Sequence, residues 1–132
     1  MQRFIFVLAL ALAILISWGN IAMAQADRSL SAGESRAAAG DIKGALAVYE
    51  QATRDDPTSN EAFARLGGMQ LLDQRYSDAV RSFQQVITLG DDGARSFIGM
   101  GMAYLHMGQL GPARAAFVEA RSRVSDSGTD VE

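Results

Sequence analysis

The residues with the widest chemical reach in this chain lie within a few positions of each other. His106 is the only histidine, Met102 stands four places before it, and Met100 and Met107 flank the pair. Residues four apart share a helix face, so Met102 and His106 would offer a thioether and an imidazole side by side. Those donors suit copper(I). A complete set needs a third convergent ligand, and the chain has no cysteine and no second histidine to supply it. Copper handling is therefore the remote reading, and no cofactor or metal is expected. Nucleophilic catalysis is served no better. His106 would have to reach both a serine and an aspartate, and no G-x-S-x-G turn prepares a nucleophile. Gly99-Met100-Gly101 falls inside a helical pattern and matches no phosphate-binding fingerprint. The carboxylate pairs Asp55-Asp56 and Asp91-Asp92 stand in links before helix starts, where acidic side chains complement the helix dipole. The chain reads as a non-enzyme.

Composition narrows the partners. Apolar residues make up 48% of the 132 and charged ones 20%, an ordinary balance for one folded domain. Net charge is -3, and Arg3 is the one charged residue before Asp27, which leaves 11 basic against 15 acidic side chains beyond residue 24. With no basic run, nothing supplies the phosphate neutralisation on which nucleic-acid binding depends. The absence of cysteine excludes disulfides, thiolate catalysis and cysteine-based zinc sites.

The elements that would position any site divide into a leader and a repeat. Met1-Gln2-Arg3 is followed by FIFVLALALAILISW over residues 4–18, where Ser17 alone is polar, then by the break Gly19-Asn20 and the small residues Ala22-Met23-Ala24. A basic start, an apolar stretch of this length and an A-x-A end predict a secretory signal over 1–24, cut before Gln25. The alternative is an uncleaved anchor, because residues 4–23 carry no charge and can span a bilayer. An exported, periplasmic protein is expected, with a membrane-anchored subunit as the second reading.

Beyond Ala26 the chain repeats itself every 34 residues. Phe63 aligns with Phe97, Leu66 with Met100, Gly67 with Gly101, Ala79 with Ala113, and Phe83 with Phe117; one period earlier Gly33, Ala45, Tyr49 and Ala52 fall on the same marks. Val80, Phe83, Val86 and Ile87 form an apolar stripe at helical spacing. Gly40 and Gly108 stand where a left-handed residue closes a helix, and Pro57 and Pro112 mark a helix end and a helix start. The reading is all-α: six helices over 27–39, 42–54, 60–73, 76–89, 94–107 and 110–124, in three repeats covering 26–59, 60–93 and 94–124, before a disordered acidic tail at 125–132.

Phe97-x2-Met100-Gly101-x2-Tyr104 followed by Ala113-x3-Phe117, and Ala45-x3-Tyr49 with Pro57, resemble the tetratricopeptide-repeat family, whose period is 34 residues. The resemblance implies an α-solenoid that binds other proteins on the concave surface formed by the first helix of each pair. Transferred position by position, that surface holds Asp27, Leu30, Glu34, Ala37 and Ala38 in the first repeat. The second gives Glu61, Ala64, Gly68, Leu71 and Leu72, and the third Arg95, Ile98, Met102, Leu105 and His106. Arg95 is the only cation among them, which argues against capture of a peptide carboxylate. An apolar peptide or amphipathic helix is the expected ligand, with Asp27, Glu34 and Glu61 favouring a basic flank; no small-molecule substrate is expected.

Departures from the family pattern mark further expectations. Ser29, Ala32 and Arg36 replace large residues, so the first helix should pack weakly. Gln70 stands where the pattern has an aromatic, and Gln74 where the other repeats have a turn glycine. Gly90-Asp91-Asp92-Gly93 gives the third repeat freedom to swing. After Val124 only SDSGTDVE follows in this sequence, so the outer face of the last helix pair is expected to stay open, to cap itself with arginines, or to pair with a partner or a second copy.

Overall fold

The computed structural model describes residues 19, 21 and 24–127, with side chains as far as Val124. The expected signal segment lies outside the described residues apart from 19, 21 and 24, as do 128–132 of the expected tail.

All regular structure among the described residues is helical. Helix α1 covers residues 24–38, followed by α2 (Ile42–Asp55), α3 (Asn60–Leu72), α4 (Tyr76–Thr88), α5 (Ala94–His106) and α6 (Leu110–Ser127). These boundaries follow the expected ones closely, except that α1 is already helical at residue 24, three before the expected start at 27, and α6 runs three residues beyond the expected end at 124, into the expected tail. Successive helices pack on one another, α2 on α3, α3 on α4, α4 on α5 and α5 on α6, with a further contact between α3 and α5.

Each pair closes by laying an aromatic ring on a glycine. A Cβ added at Gly33 would come within 2.5 Å of the Tyr49 ring, one at Gly67 within 2.9 Å of Phe83, and one at Gly101 within 2.7 Å of Phe117. A side chain at any of these places would force the ring or its helix to shift, which is why the glycine and the ring recur together at the repeat spacing. Around the rings lie two apolar clusters. Ala45, Leu46, Tyr49 and Leu66 gather Leu30, Ala37, Ile42 and Met69 about them. Ala79, Val80, Phe83, Met100, Ala103 and Ala116 form the second, with Leu71, Tyr76, Ile87, Phe97, Tyr104 and Met107 at its edge.

The turns within the pairs are equally regular. Gly40 (φ 78°), Gln74 (φ 63°) and Gly108 (φ 73°) all adopt the left-handed conformation, so Gln74 takes up a backbone shape that a Cβ disfavours. Helix starts are less uniform. The Asp41 carboxylate accepts from the Gly44 N–H at 2.9 Å and Ser59 Oγ from the Ala62 N–H at 3.2 Å, whereas α4 and α5 begin at Arg75 and Gly93 without a side-chain cap.

Two departures noted in the sequence find their physical accommodation here. Gln70 is buried, and its side-chain carbonyl accepts from the buried Ser82 hydroxyl at 2.7 Å, so a satisfied polar pair fills the space of the usual aromatic. The glycine-bounded link before α5 is tied from the far end of the chain: Arg123 of α6 pairs with Asp92 and lays its guanidinium over Phe97, 5.3 Å from the ring centre. This tie works against the swing that Gly90 and Gly93 would otherwise permit.

Candidate protein-binding groove and the open end of the array

The groove positions separate into three groups. Leu30 and Leu71 are half-buried at the edges of the two core clusters, so they support the surface from beneath; Ala64 and Gly68 are also half-buried. Leu72, Ile98, Met102 and Leu105 are large apolar side chains left 62%, 44%, 44% and 52% exposed. A Cβ added at Gly68 would meet nothing within 4 Å, so the space beside this part of α3 is open. These exposed apolar groups stand on neighbouring first helices, α3 and α5.

The charged positions differ from expectation. Glu34 and Glu61 are not free carboxylates, since Arg65 bridges them at 2.7 Å and 2.6 Å. The bond to Glu61 and the attraction of both carboxylates raise the Arg65 pKa above its ordinary value. Arg65 offsets one of the three carboxylate charges expected at this end of the groove, and Asp27 lies outside the bridge. Sequence reasoning missed Arg65 because its repeat position is Ser31 in one neighbour and Gly99 in the other. A second inter-helix bridge holds the opposite end of this region: Arg75 reaches Glu50 of α2 at 2.9 Å and Asp78 at 2.8 Å.

His106 is engaged as well. Its ring stacks on Tyr76 with centroids 4.8 Å apart and planes 3° from parallel, while Met100 is buried in the core and Met107 accepts from the Ser77 hydroxyl at 3.4 Å. These methionines and the histidine thus serve packing between repeats. Arg95 is exposed at the start of α5.

At the C-terminal end the apolar surface turns a corner. Leu105 also borders a concavity of about 480 Å³ lined by Leu110, Ala113, Arg114, Phe117, Val118 and Arg121. Leu110, Phe117 and Val118 are 68%, 37% and 48% exposed, and nothing among the described residues covers them. At the other end, a concavity of about 770 Å³ has Leu30, Ala52 and Ala62 in its wall together with Asp27, Asp55, Asp56 and Glu61.

No family model matches the sequence. One curated protein, the general transcriptional corepressor trfA of Dictyostelium discoideum, is 32% identical over 76 residues, a stretch that is 58% of this chain and 6% of that protein. Solved structures resemble the fold at lower identity. The second tetratricopeptide domain of Spaghetti (RPAP3), bound to the HSP90 peptide SRMEEVD, superposes with a TM-score of 0.71 at 22% identity, covering 75% of this chain and 92% of that one. The type III secretion translocator chaperone SycD of Yersinia enterocolitica gives 0.72 at 17% identity, covering 76% of each chain. MamA gives 0.74 at 16% identity, covering 78% of this chain and 60% of that one. Three ring-on-glycine helix pairs at a 34-residue period, superposing on these solenoids, give this chain the tetratricopeptide-repeat fold.

Proposed function

We propose that the protein is a non-catalytic interaction module of the cell envelope that holds an apolar peptide or helix of another protein along the concave faces of α3 and α5. The observation that carries this reading is the row Leu72, Ile98, Met102 and Leu105, large apolar side chains exposed on neighbouring first helices beside the open space at Gly68. A partner helix with apolar groups at i, i+3 and i+4 fits such a row. The N-terminal composition supports export: a short basic start precedes an apolar stretch and an A-x-A end. Two of the similar structures are consistent with the role, since one holds a peptide and another is a secretion chaperone.

The test is site-specific photocrosslinking in intact cells. A crosslinker at Ile98 or Met102 should trap one partner that a crosslinker at Arg81, exposed on α4, does not. Ile98→Asp should abolish the capture with the helical circular dichroism unchanged. Crosslinks confined to Val118 would remove the groove from consideration. N-terminal sequencing of the mature protein addresses location: a start at Gln25 means processing, and an intact Met1 means an anchored form.

A further inference from the structure

Two places in the repeat show how the flank of a helix pair is ordinarily filled. Ser29, Phe63 and Phe97 stand 34 residues apart on α1, α3 and α5, and Asp55, Leu89 and Arg123 stand 34 apart near the ends of α2, α4 and α6. In the third repeat the two places meet. The Arg123 guanidinium lies over the Phe97 ring, 5.3 Å from its centre, and pairs with Asp92. The second repeat puts two apolar side chains there, Phe63 and Leu89. The first has a hydroxyl and a carboxylate, and no ring. Between them opens the concavity of about 770 Å³, with Ser29 and Asp55 both in its wall. That volume falls within the range of about 300–1,000 Å³ usual for ligand clefts.

The wall of this cleft selects its occupant. Leu30, Ala52 and Ala62 make the apolar part, and Ala52 and Ala62 are buried, so the cleft reaches the core. An aromatic ring seated on them beside Ser29 would take the place that Phe63 and Phe97 hold in the later repeats. The rim is acidic: Asp27, Asp55, Asp56 and Glu61 line it, and no lysine or arginine does. Glu61 is held by Arg65. Asp27, Asp55 and Asp56 enter none of the ion pairs among the described residues. Asp55 accepts from the Gln51 amide at 2.7 Å, and Asp56 from the Thr58 N–H and hydroxyl at 3.0 Å and 2.7 Å. These donors are neutral, so they orient the two carboxylates without cancelling their charge. A cation brought in with the ring would meet carboxylates, at the place where the third repeat supplies its own cation to its own ring.

We infer that the cleft between the start of α1 and the link from α2 to α3 takes a basic segment of a partner protein, which seats one aromatic side chain beside Ser29 and sets lysine or arginine against Asp27, Asp55 and Asp56. The site is distinct from the row on α3 and α5 and does not rest on it. A second copy of this chain does not have this chemistry. Of its described phenylalanines and tyrosines only Phe117 is exposed, and that ring already lies on Gly101 of its own helix pair.

The probe is a short capped peptide with one phenylalanine between two pairs of lysines. Its controls carry serine in place of the phenylalanine, or glutamate in place of the lysines. Binding to the full-length protein is read by fluorescence anisotropy. The probe should bind at least about tenfold more tightly than either control. Ser29→Phe fills the cleft with a ring of the chain's own, so the probe should weaken by about tenfold or more while the melting temperature holds or rises. The double variant Asp27→Asn, Asp55→Asn should also weaken the probe and flatten its salt dependence, whereas Ile98→Asp should leave it unchanged. If Ser29→Phe lowers the melting temperature, the double variant decides alone, and an unchanged affinity there overturns the inference. Equal binding of the phenylalanine and serine peptides would reduce the cleft to a diffuse acidic surface and overturn it, as would no binding of the probe. Loss through Ile98→Asp with Ser29→Phe silent would place the probe in the groove, against the inference. A concentration-dependent dimer in sedimentation, abolished by Ser29→Phe, would make a second copy the occupant and overturn it too.

Discussion

Phe83 and Phe117 occupy the same place in consecutive repeats, each resting on a glycine of its own helix pair, and live in different surroundings. The first is enclosed by a glycine of its own pair and a glycine of the next; the second has an open flank. Local sequence therefore determines that a ring rests on a glycine, while position in the array determines whether that ring belongs to the interior or to the surface. In a solenoid each repeat completes the core of its predecessor, and the last helix of the described array has an apolar face without a successor.

The largest effect that would sharpen this comparison is expected at Gly99. Gly99→Val drives a side chain into a ring that cannot retreat, and overpacking of this kind costs about 1–3 kcal/mol. Urea denaturation should show the loss as a lower midpoint. Next comes the buried polar pair beside the same junction. Ser82→Ala leaves the Gln70 carbonyl without its partner at a cost of about 1–2 kcal/mol. Adding Gln70→Leu should recover most of the loss, a non-additivity that a double-mutant cycle reads directly. Gly101→Val should cost less than Gly99→Val, about 1 kcal/mol, because Phe117 can tilt into its open flank. Equal losses at the two glycines would break the comparison.

The smallest effect lies at the surface, outside both aromatic sites. The Gly44 N–H and the Arg36 guanidinium hold the Asp41 carboxyl below its ordinary value of 3.8. A carboxyl more acidic in the folded chain stabilises it above its ordinary value, and the benefit disappears as pH falls through the folded value. The Thr58 hydroxyl and N–H lower Asp56 in the same sense. Asp41→Ala should therefore reduce stability at neutral pH and make the decline below about pH 4 shallower, as thermal melts across the acid range would show.

Much of this architecture was legible before any coordinates. The landmarks Gly67/Phe83 and Gly101/Phe117, with Gly40, Gln74 and Gly108 in the turns, specify helix pairs through local sterics, and local sterics recur with the sequence. What escaped notice depends on neighbours. Arg65 bridges carboxylates on two helices, one of them 31 positions earlier in the chain, and no spacing rule within a repeat indicates such a pair. Leu71, a groove position by its place in the repeat, is half-buried against a cluster that includes Met100 and Ala103 of the following repeat. Arg123 likewise stood as a polar residue of the last helix until its approach to Phe97 and Asp92 showed that it ties the third repeat to the link before it.

Gln74 has a consequence that packing does not express. Holding a residue with a Cβ in the left-handed region costs about 1 kcal/mol, roughly a fivefold factor in an equilibrium, and the equivalent turns at Gly40 and Gly108 are spared it. The strain sits in the middle pair, between α3 and α4, where neighbouring helices pack on both sides. Local opening of that hairpin is correspondingly favoured over what its contacts alone would allow. The array thus carries a weak hinge at its centre in addition to the fraying expected at its ends, and amide exchange around Asp73, Gln74 and Arg75 is where that hinge would be felt.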